Sequence, residues 1–93
     1  RLALDLEYRS ISVDGEPIHL TDTEYRLLAP LVKSKGRVVS FKQILEKIWG
    51  PGYGASIEYV HVYISRLRKK LEVDPKQPQY LVNEPQIGYR FII

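Results

Sequence analysis

The most regular pattern of apolar and polar positions in this chain lies in residues 57–72, which read IEYVHVYISRLRKKLE. At about 100° per residue, five of its six aliphatic side chains fall on one narrow stripe, as in a helix that packs against a core. The stripe comprises Ile57, Val60, Ile64, Leu67 and Leu71. The opposite face comprises Glu58, Tyr59, Val62, Ser65, Arg66 and Lys69, with Arg68 and Lys70 at its two edges. The pattern predicts a helix with one buried and one exposed, partly basic side.

The residues before this segment predict short strands followed by a capped helix. Residues 2–13 alternate apolar and polar positions and lead into a turn at residues 14–17, which indicates two or three antiparallel strands. Thr21 and Glu24 have the spacing of a capping box, so a helix begins there. Pro30 removes one backbone hydrogen bond from this helix, and we expect it to kink the helix or to end it early.

A second capped helix and a final hairpin complete the predicted order of elements. Ser40 and Gln43 repeat the capping spacing, and Gly50 closes the helix that they begin. After residue 72, residues 80–83 and 89–92 read as two strands of a hairpin. The order is therefore strands, three helices and a hairpin.

Charge is distributed unevenly along the 93 residues, whose formal net charge is +3. Residues 1–32 hold three basic and six acidic groups, a net of −3, whereas residues 33–93 hold eleven and five, a net of +6. A chain of this length with 44% hydrophobic residues makes one domain with a modest core. One face of that domain suits a polyanion, and its affinity for phosphates would depend strongly on salt.

Composition excludes several classes of protein. There is no cysteine, which removes disulfides, thiolate metal sites and cysteine nucleophiles. No apolar run of membrane-spanning length and no secretory leader are present in the sequence, so we expect a soluble, cytoplasmic domain without membrane contact. The chain also lacks methionine, and we expect a piece of a longer protein whose missing part lies at least upstream.

The residues that could support catalysis do not form a recognisable pattern. His19 and His61 have no companion at metal-ligand spacing and no partner of a hydrolase triad. The carboxylates are scattered, and the glycine-rich residues 50–55 lack the form of a phosphate-binding loop. We therefore expect no enzyme, no cofactor and no metal site.

The exposed face of the third helix suits the major groove of DNA. Arg66 is able to bind guanine O6 and N7 in a bidentate manner, and Val62, one turn earlier, suits a thymine methyl group. Side chains suited to phosphates are Tyr59, Tyr63, Ser65 and Lys69. The two tyrosines suit the edge of the core equally well, and Trp49 favours packing over ligand contact. Alternatively, this face is a solvated basic surface, or it docks an acidic protein partner.

With these residues placed, nearly the whole chain resembles the winged-helix effector domain of OmpR/PhoB-type response regulators. The motifs that carry the resemblance come in order, and two further features, the Tyr59-x-x-x-Tyr63 pair and the Trp49-Gly50-Pro51 junction, look closest to the potassium-responsive (KDP) branch. The ordered motifs are Leu20-Thr21-x-x-Glu24-Tyr25-x-Leu27-Leu28, Gly36-x-Val38-Val39-Ser40, Ile48-Trp49-Gly50, Val60-x-Val62-Tyr63-Ile64-x-Arg66-Leu67-Arg68-Lys69-Lys70-Leu71 and Ile87-Gly88-Tyr89-Arg90-Phe91.

This resemblance implies an α+β winged helix-turn-helix with an N-terminal four-stranded antiparallel sheet, three helices and a hairpin wing at residues 80–92. Residues 1–93 would form the effector domain behind a receiver domain, which a cognate histidine kinase phosphorylates. Two copies would bind repeated half-sites in double-stranded DNA as a homodimer and regulate transcription. The loop that contains Gly52, Tyr53 and Gly54 would contact RNA polymerase.

The resemblance also implies roles for single residues. Positions that match Val62 and Arg66 face bases, and Arg68 lies near the DNA. Positions that match residues near the DNA backbone are Tyr59, Tyr63, Ser65, Trp49, Asn83 and Tyr89. The sequence departs from the family pattern at Glu58 and Ser65, where arginine is common, and at residues 84–86, where Glu-Pro-Gln replaces an Arg-Gly pair. We therefore expect the wing to support the complex, with more of the affinity from Arg66, Arg68, Lys69 and Lys70.

Overall fold

A computed structural model describes residues 2–50 and 57–92, which form two small antiparallel sheets and three helices. The strands are β1 (Leu2–Asp5), β2 (Ser10–Val13), β3 (Glu16–Pro17), β4 (Val39–Ser40), β5 (Leu81–Glu84) and β6 (Gly88–Phe91). The helices are α1 (Asp22–Lys33), α2 (Phe41–Trp49) and α3 (Ile57–Leu71). The predicted order of strands, three helices and hairpin is confirmed.

The N-terminal sheet has the strand order β1-β2-β3, with Leu2 opposite Val13 and Val13 opposite Glu16. The resemblance implied four strands, but the described residues form only three here. β3 ends at Pro17, and the N–H of Ile18 still donates to the carbonyl oxygen of Ile11 in β2 at 2.8 Å. The chain then runs through residues 18–20 into the cap of α1.

Both predicted capping boxes are present, and they fix where the first two helices begin. In α1 the N–H of Glu24 donates to Thr21 Oγ1 at 3.2 Å, and the N–H of Thr21 donates to Glu24 Oε1 at 2.9 Å. In α2 the N–H of Gln43 donates to Ser40 Oγ at 3.1 Å, and the N–H of Ser40 donates to Gln43 Oε1 at 3.0 Å. Each box satisfies two backbone donors that the first helical turn leaves without a partner.

Pro30 was expected to kink α1 or to end it early, and of these two effects the early end does not occur. The helix continues to Lys33, and Ser34 caps its end. The backbone N–H and the hydroxyl of Ser34 both donate to the carbonyl oxygen of Pro30, at 3.1 and 2.8 Å. The proline removes only its own N–H, so the last turn retains bonds of its own.

The second sheet joins the hairpin to the start of α2, in the order β4-β6-β5. Val39 lies opposite Tyr89, and Ser40 lies opposite Gly88. The sequence pattern did not predict β4, and the hairpin strands are shifted by one residue from their predicted bounds. A Cβ at Gly88 would lie 1.9 Å from the carbonyl oxygen of Val39, so this close approach of two backbones requires glycine.

The core lies between the three helices and the second sheet. Along α3 the aliphatic stripe is buried as predicted, with exposed fractions of 0% at Val60, Ile64 and Leu67 and 1% at Leu71. Ile57, predicted to be buried, is 43% exposed. It is the first residue of α3, and contact with the core begins one turn later at Val60.

Candidate nucleic-acid interface

The side of α3 that faces away from the core is exposed, as its pattern predicted. We call Tyr59, Val62, Ser65, Arg66 and Lys69 the α3 outer face. All five are exposed, and the exposed fractions of Tyr59 and Val62 are 56% and 45%. Because Val62 and Arg66 are one turn apart on the same helix, they project from the same side. This geometry presents an apolar group beside a guanidinium.

Three aromatic rings join the end of α2 to the first half of α3. The ring of Trp49 lies 5.9 Å from that of Tyr59 and 6.4 Å from that of Tyr63, between centroids. Trp49 and Tyr63 are half-buried and pack against the core. The structure thus gives Trp49 and Tyr63 packing contacts, whereas most of Tyr59 remains open to solvent.

Tyr63 also orients the principal basic side chain of the α3 outer face. The guanidinium carbon of Arg66 lies 5.1 Å from the centroid of the Tyr63 ring. Such a cation–π contact is worth about 0.5–1 kcal/mol at an exposed site. It restricts a flexible side chain, which lowers the ordering cost when Arg66 meets a ligand.

Two side chains tie α3 to the first strand of the hairpin. Nε and Nη2 of Arg68 donate to the carbonyl oxygen of Leu81 at 3.1 and 2.8 Å. The buried carboxylate of Glu72 accepts the backbone N–H groups of Gln79, Tyr80 and Leu81 at 2.8, 2.9 and 2.8 Å. These five bonds set the position of the hairpin relative to α3, so Arg68 has a positioning role in this structure.

Tyr89, which the resemblance implied to lie near the DNA backbone, is buried in this structure. Its exposed fraction is 3%, and its hydroxyl bonds Nδ1 of His61. The ring of Phe41 packs edge-on against both, with centroids 5.6 Å from His61 and 6.0 Å from Tyr89. Burial raises the pKa of Tyr89, and the nearby charge of Arg68 partly opposes that rise.

Lys70, which was expected to contribute affinity for DNA, makes contacts within the domain. Its Nζ lies 2.6 Å from Glu24 Oε1 and donates to the carbonyl oxygen of His19 at 3.0 Å. Burial raises the pKa of Glu24, but Lys70 and Thr21 outweigh that effect and hold the pKa below its usual value. The ion pair joins α1 to α3 at the edge of the core.

The sequence profile of the family described as "Transcriptional regulatory protein, C terminal" matches residues 15–91. The match covers the two capping boxes, the α3 outer face and the hairpin. The chain belongs to that family. The resemblance to OmpR/PhoB-type effector domains is therefore confirmed.

Relatives and solved structures agree with this family. The transcriptional regulatory protein KdpE of Mycobacterium tuberculosis is 40% identical over 88 residues, which are 95% of this chain and 39% of KdpE. The response regulator DrrB of Thermotoga maritima, an OmpR/PhoB homolog, is 32% identical with a TM-score of 0.88, over 98% of this chain and 41% of DrrB. The chain thus spans about two fifths of the length of KdpE.

A structure determined with DNA shares the same fold. The RstA DNA-binding domain of Klebsiella pneumoniae, in complex with the RstA box, is 28% identical with a TM-score of 0.85. The similarity covers 98% of this chain and 90% of that domain. Effector domains of this type are parts of transcriptional regulators. The similarity to KdpE supports the resemblance to the KDP branch.

The hairpin of this effector domain carries an uncharged turn. Asn83 is exposed, and Glu84 is paired with Arg90 at 3.0 Å. Gln86 adopts a φ of 67° in the turn, and Ile87 is 55% exposed. The guanidinium of Arg90 on β6 therefore contacts the neighbouring strand β5. That the wing supports the complex stays a prediction.

The predicted polymerase contacts Gly52, Tyr53 and Gly54 lie outside the described residues.

Within residues 2–50 and 57–92, no helix is long and apolar enough to cross a membrane. The same residues contain no group of three or more histidine, cysteine, aspartate or glutamate side chains that could hold a metal ion.

Sequence reasoning missed two residues that shape this site. Glu72 was predicted only as the end of a helix, yet its carboxylate bonds three backbone groups. His61 was considered only as a metal ligand or a member of a hydrolase triad, whereas its ring contacts Tyr89, 28 positions away. No local pattern indicates either contact, because both depend on how the hairpin folds back on α3.

Proposed function

We propose that this effector domain binds double-stranded DNA sequence-specifically and thereby regulates transcription. One observation carries the proposal: α3 buries a complete aliphatic stripe from Val60 onward and presents the α3 outer face to solvent. An exposed helix of this kind fits the major groove, which admits an α-helix. The DNA-bound RstA domain, with the same fold, supports the proposal.

The side chains divide into base-reading and backbone-binding groups. Arg66 reads guanine, and its position over Tyr63 prepares it for a bidentate contact. Val62 contacts a thymine methyl group, while Tyr59, Ser65 and Lys69 bind phosphates and fix the register. Tyr63 acts mainly through Arg66.

The hairpin supports the complex from the side of α3. Asn83 is exposed on β5 and meets the DNA backbone beside the groove. Arg68 holds β5 through Leu81 and acts on DNA indirectly. Since Tyr89 is buried, we assign it no direct contact.

The assembly around this domain extends the proposal. Residues 1–93 form one effector domain in a cytoplasmic response regulator, and an upstream receiver domain is phosphorylated by a histidine kinase. Two copies form a homodimer on repeated half-sites. RNA polymerase contacts the loop with Gly52, Tyr53 and Gly54. The size of the KdpE relative, of which this chain spans about two fifths, is consistent with an additional domain.

Titration of the chain with duplexes selected from a random pool tests the proposal. Log affinity should fall linearly with log salt, and the pool should yield a preferred sequence. Arg66→Ala should cost about 1–3 kcal/mol on the selected duplex and relax one base position. Lys69→Ala should weaken the selected and random duplexes alike. Equal losses for both variants on both duplexes, or binding only to acidic protein, would contradict the proposal.

A further inference from the structure

A groove of about 880 Å³ lies between α1 and α2, and none of its lining residues belongs to α3. We call it the α1/α2 groove. Its lining includes five cationic side chains from four parts of the chain: Arg9, Arg26, Lys33, Arg37 and Lys47. Glu46 is the one carboxylate residue among the described lining residues. The groove is therefore strongly basic although the first third of the chain is acidic.

Three of these cations have no counter-charge among the described residues. Asp22 pairs with Arg9 at 3.3 Å and with Arg26 at 3.0 Å. No carboxylate of residues 2–50 and 57–92 forms an ion pair with the other three, which are Lys33, Arg37 and Lys47. All three are exposed. Their positive charge is thus available to an external anion.

The same groove has an apolar lining. Tyr25, Ala29, Pro30, Val38 and Val39 contribute to it, and Val38 is 37% exposed. Arg9 lies over the Tyr25 ring, 4.4 Å from its centroid, which holds one wall in place. An apolar surface flanked by unpaired cations is complementary to a chain that carries both carboxylates and apolar side chains.

We infer that the α1/α2 groove docks an acidic, amphipathic segment of a partner protein. Carboxylates of the segment pair with Lys33, Arg37 and Lys47, and its apolar side chains cover Pro30 and Val38. A DNA backbone fits less well, because phosphodiesters are anionic but offer no apolar group for this lining. The inference goes beyond DNA binding and does not rest on it, since the groove and α3 share no residue.

Selection from a library of random displayed peptides tests the groove, and it requires no identified partner. The wild-type chain is the bait, and a variant with Lys33→Gln, Arg37→Gln and Lys47→Gln is the counter-selection bait. We expect the enriched peptides to combine Asp or Glu with Leu or Phe. A synthetic peptide of the enriched sequence should bind the groove variant about tenfold more weakly than the wild type.

A matched variant separates this inference from the proposed function. Lys42→Gln, Lys69→Gln and Lys76→Gln also remove three charges, but from outside the groove. This control should keep its peptide affinity and lose DNA affinity. The groove variant should keep its DNA affinity within about twofold at about 0.15 M salt, where distant charges are screened. Unfolding curves of both variants should match that of the wild type.

Four results would overturn the inference. The first is no enrichment over the counter-selection, and the second is an enriched pool without acidic bias. The third is an equal loss of peptide affinity in the two variants. The fourth is a loss of DNA affinity in the groove variant as large as in the control, which would make the groove a DNA contact.

Discussion

The backbone N–H of Leu81 donates to the carboxylate of Glu72 at 2.8 Å, and this contact binds the hairpin to the residue that directly follows α3. The carbonyl oxygen of the same leucine accepts two bonds from Arg68. Leu81 is itself fully buried, at 0% exposure. Both polar backbone groups of one core residue are therefore satisfied by charged side chains from α3 and its end.

Replacing Glu72 by glutamine should lower the free energy of unfolding by about 2 kcal/mol. The neutral amide accepts more weakly than a carboxylate, and its NH2 group cannot accept from the three backbone donors. Urea unfolding followed by circular dichroism measures the loss. Asp74→Asn is the control, because the exposed carboxylate of Asp74 accepts from a single N–H among the described contacts, that of Lys76 at 3.0 Å. Equal effects of the two changes would contradict the role assigned to Glu72.

The Glu24–Lys70 pair should make stability depend on acid pH. Because the folded pKa of Glu24 lies below its ordinary value of 4.5, the pair contributes fully above that pH. This contribution is lost as the pH falls through the folded pKa. Lys70→Met leaves a buried carboxylate without its partner, so the variant should be less stable than the wild type at about pH 7.

The difference between wild type and Lys70→Met should shrink as the pH is lowered toward about 3. Free energies of unfolding measured along that pH series test this dependence. Lys76→Met removes an exposed lysine and should show no such pH-dependent difference. A constant difference between wild type and Lys70→Met would mean that lost packing, rather than the carboxylate, causes the effect.

Gly88→Ala should destabilise the second sheet by about 3 kcal/mol. The added methyl group would meet the Val39 carbonyl oxygen at 1.9 Å and the Ser40 Cα at 2.9 Å, both of them backbone atoms. Thermal unfolding gives the measurement. In Gly36→Ala, by contrast, the new Cβ has no described atom within 4 Å, and the strain comes from its φ of +85°, which costs about 1 kcal/mol. Similar losses in both variants would show that β4 and β6 separate easily.

The helices and the exposed face could be predicted from the sequence because their determinants are local. A capping box lies within four residues, and the α3 stripe repeats within one helix, so both are visible in the residue pattern. The capping boxes at Thr21 and Ser40 and the buried positions from Val60 to Leu71 are confirmed for this reason. The prediction that Ile57 is buried was wrong, because periodicity gives the direction of a side chain but not where the core ends.

The contacts of the hairpin could not be predicted, because they join residues far apart in sequence. β4 has only two residues and pairs with a strand about fifty positions later, so alternation has no length in which to appear. That pairing makes β6 the middle strand, and it explains why Tyr89 is buried. The resemblance implied only that position 89 of the fold lies near DNA. The direction of the Tyr89 side chain depends on packing against His61 and Phe41 in this chain.

The last prediction compares a buried tyrosine, Tyr89, with an exposed one, Tyr59, and it rests on the proposed DNA binding. Tyr89→Phe removes a buried hydroxyl bonded to His61 and should lower the free energy of unfolding by about 1 kcal/mol, with DNA affinity within about twofold of wild type. Tyr59→Phe removes a hydroxyl from a side chain that is 56% exposed on the α3 outer face. It should leave stability unchanged and weaken DNA binding by about tenfold or more, because a hydroxyl that donates to an anionic phosphate makes a charge-assisted hydrogen bond, which contributes about 1.5–3 kcal/mol.

Fluorescence anisotropy on the selected duplex and urea unfolding, applied to both variants, give the four values needed. The two changes remove the same atom, so side-chain chemistry cannot account for a difference between them. Weaker DNA binding by Tyr89→Phe with unchanged stability would mean that Tyr89 contacts the DNA backbone, as the resemblance implied. It would also mean that the hairpin moves away from His61 when DNA binds, because in the present structure the Tyr89 hydroxyl is enclosed.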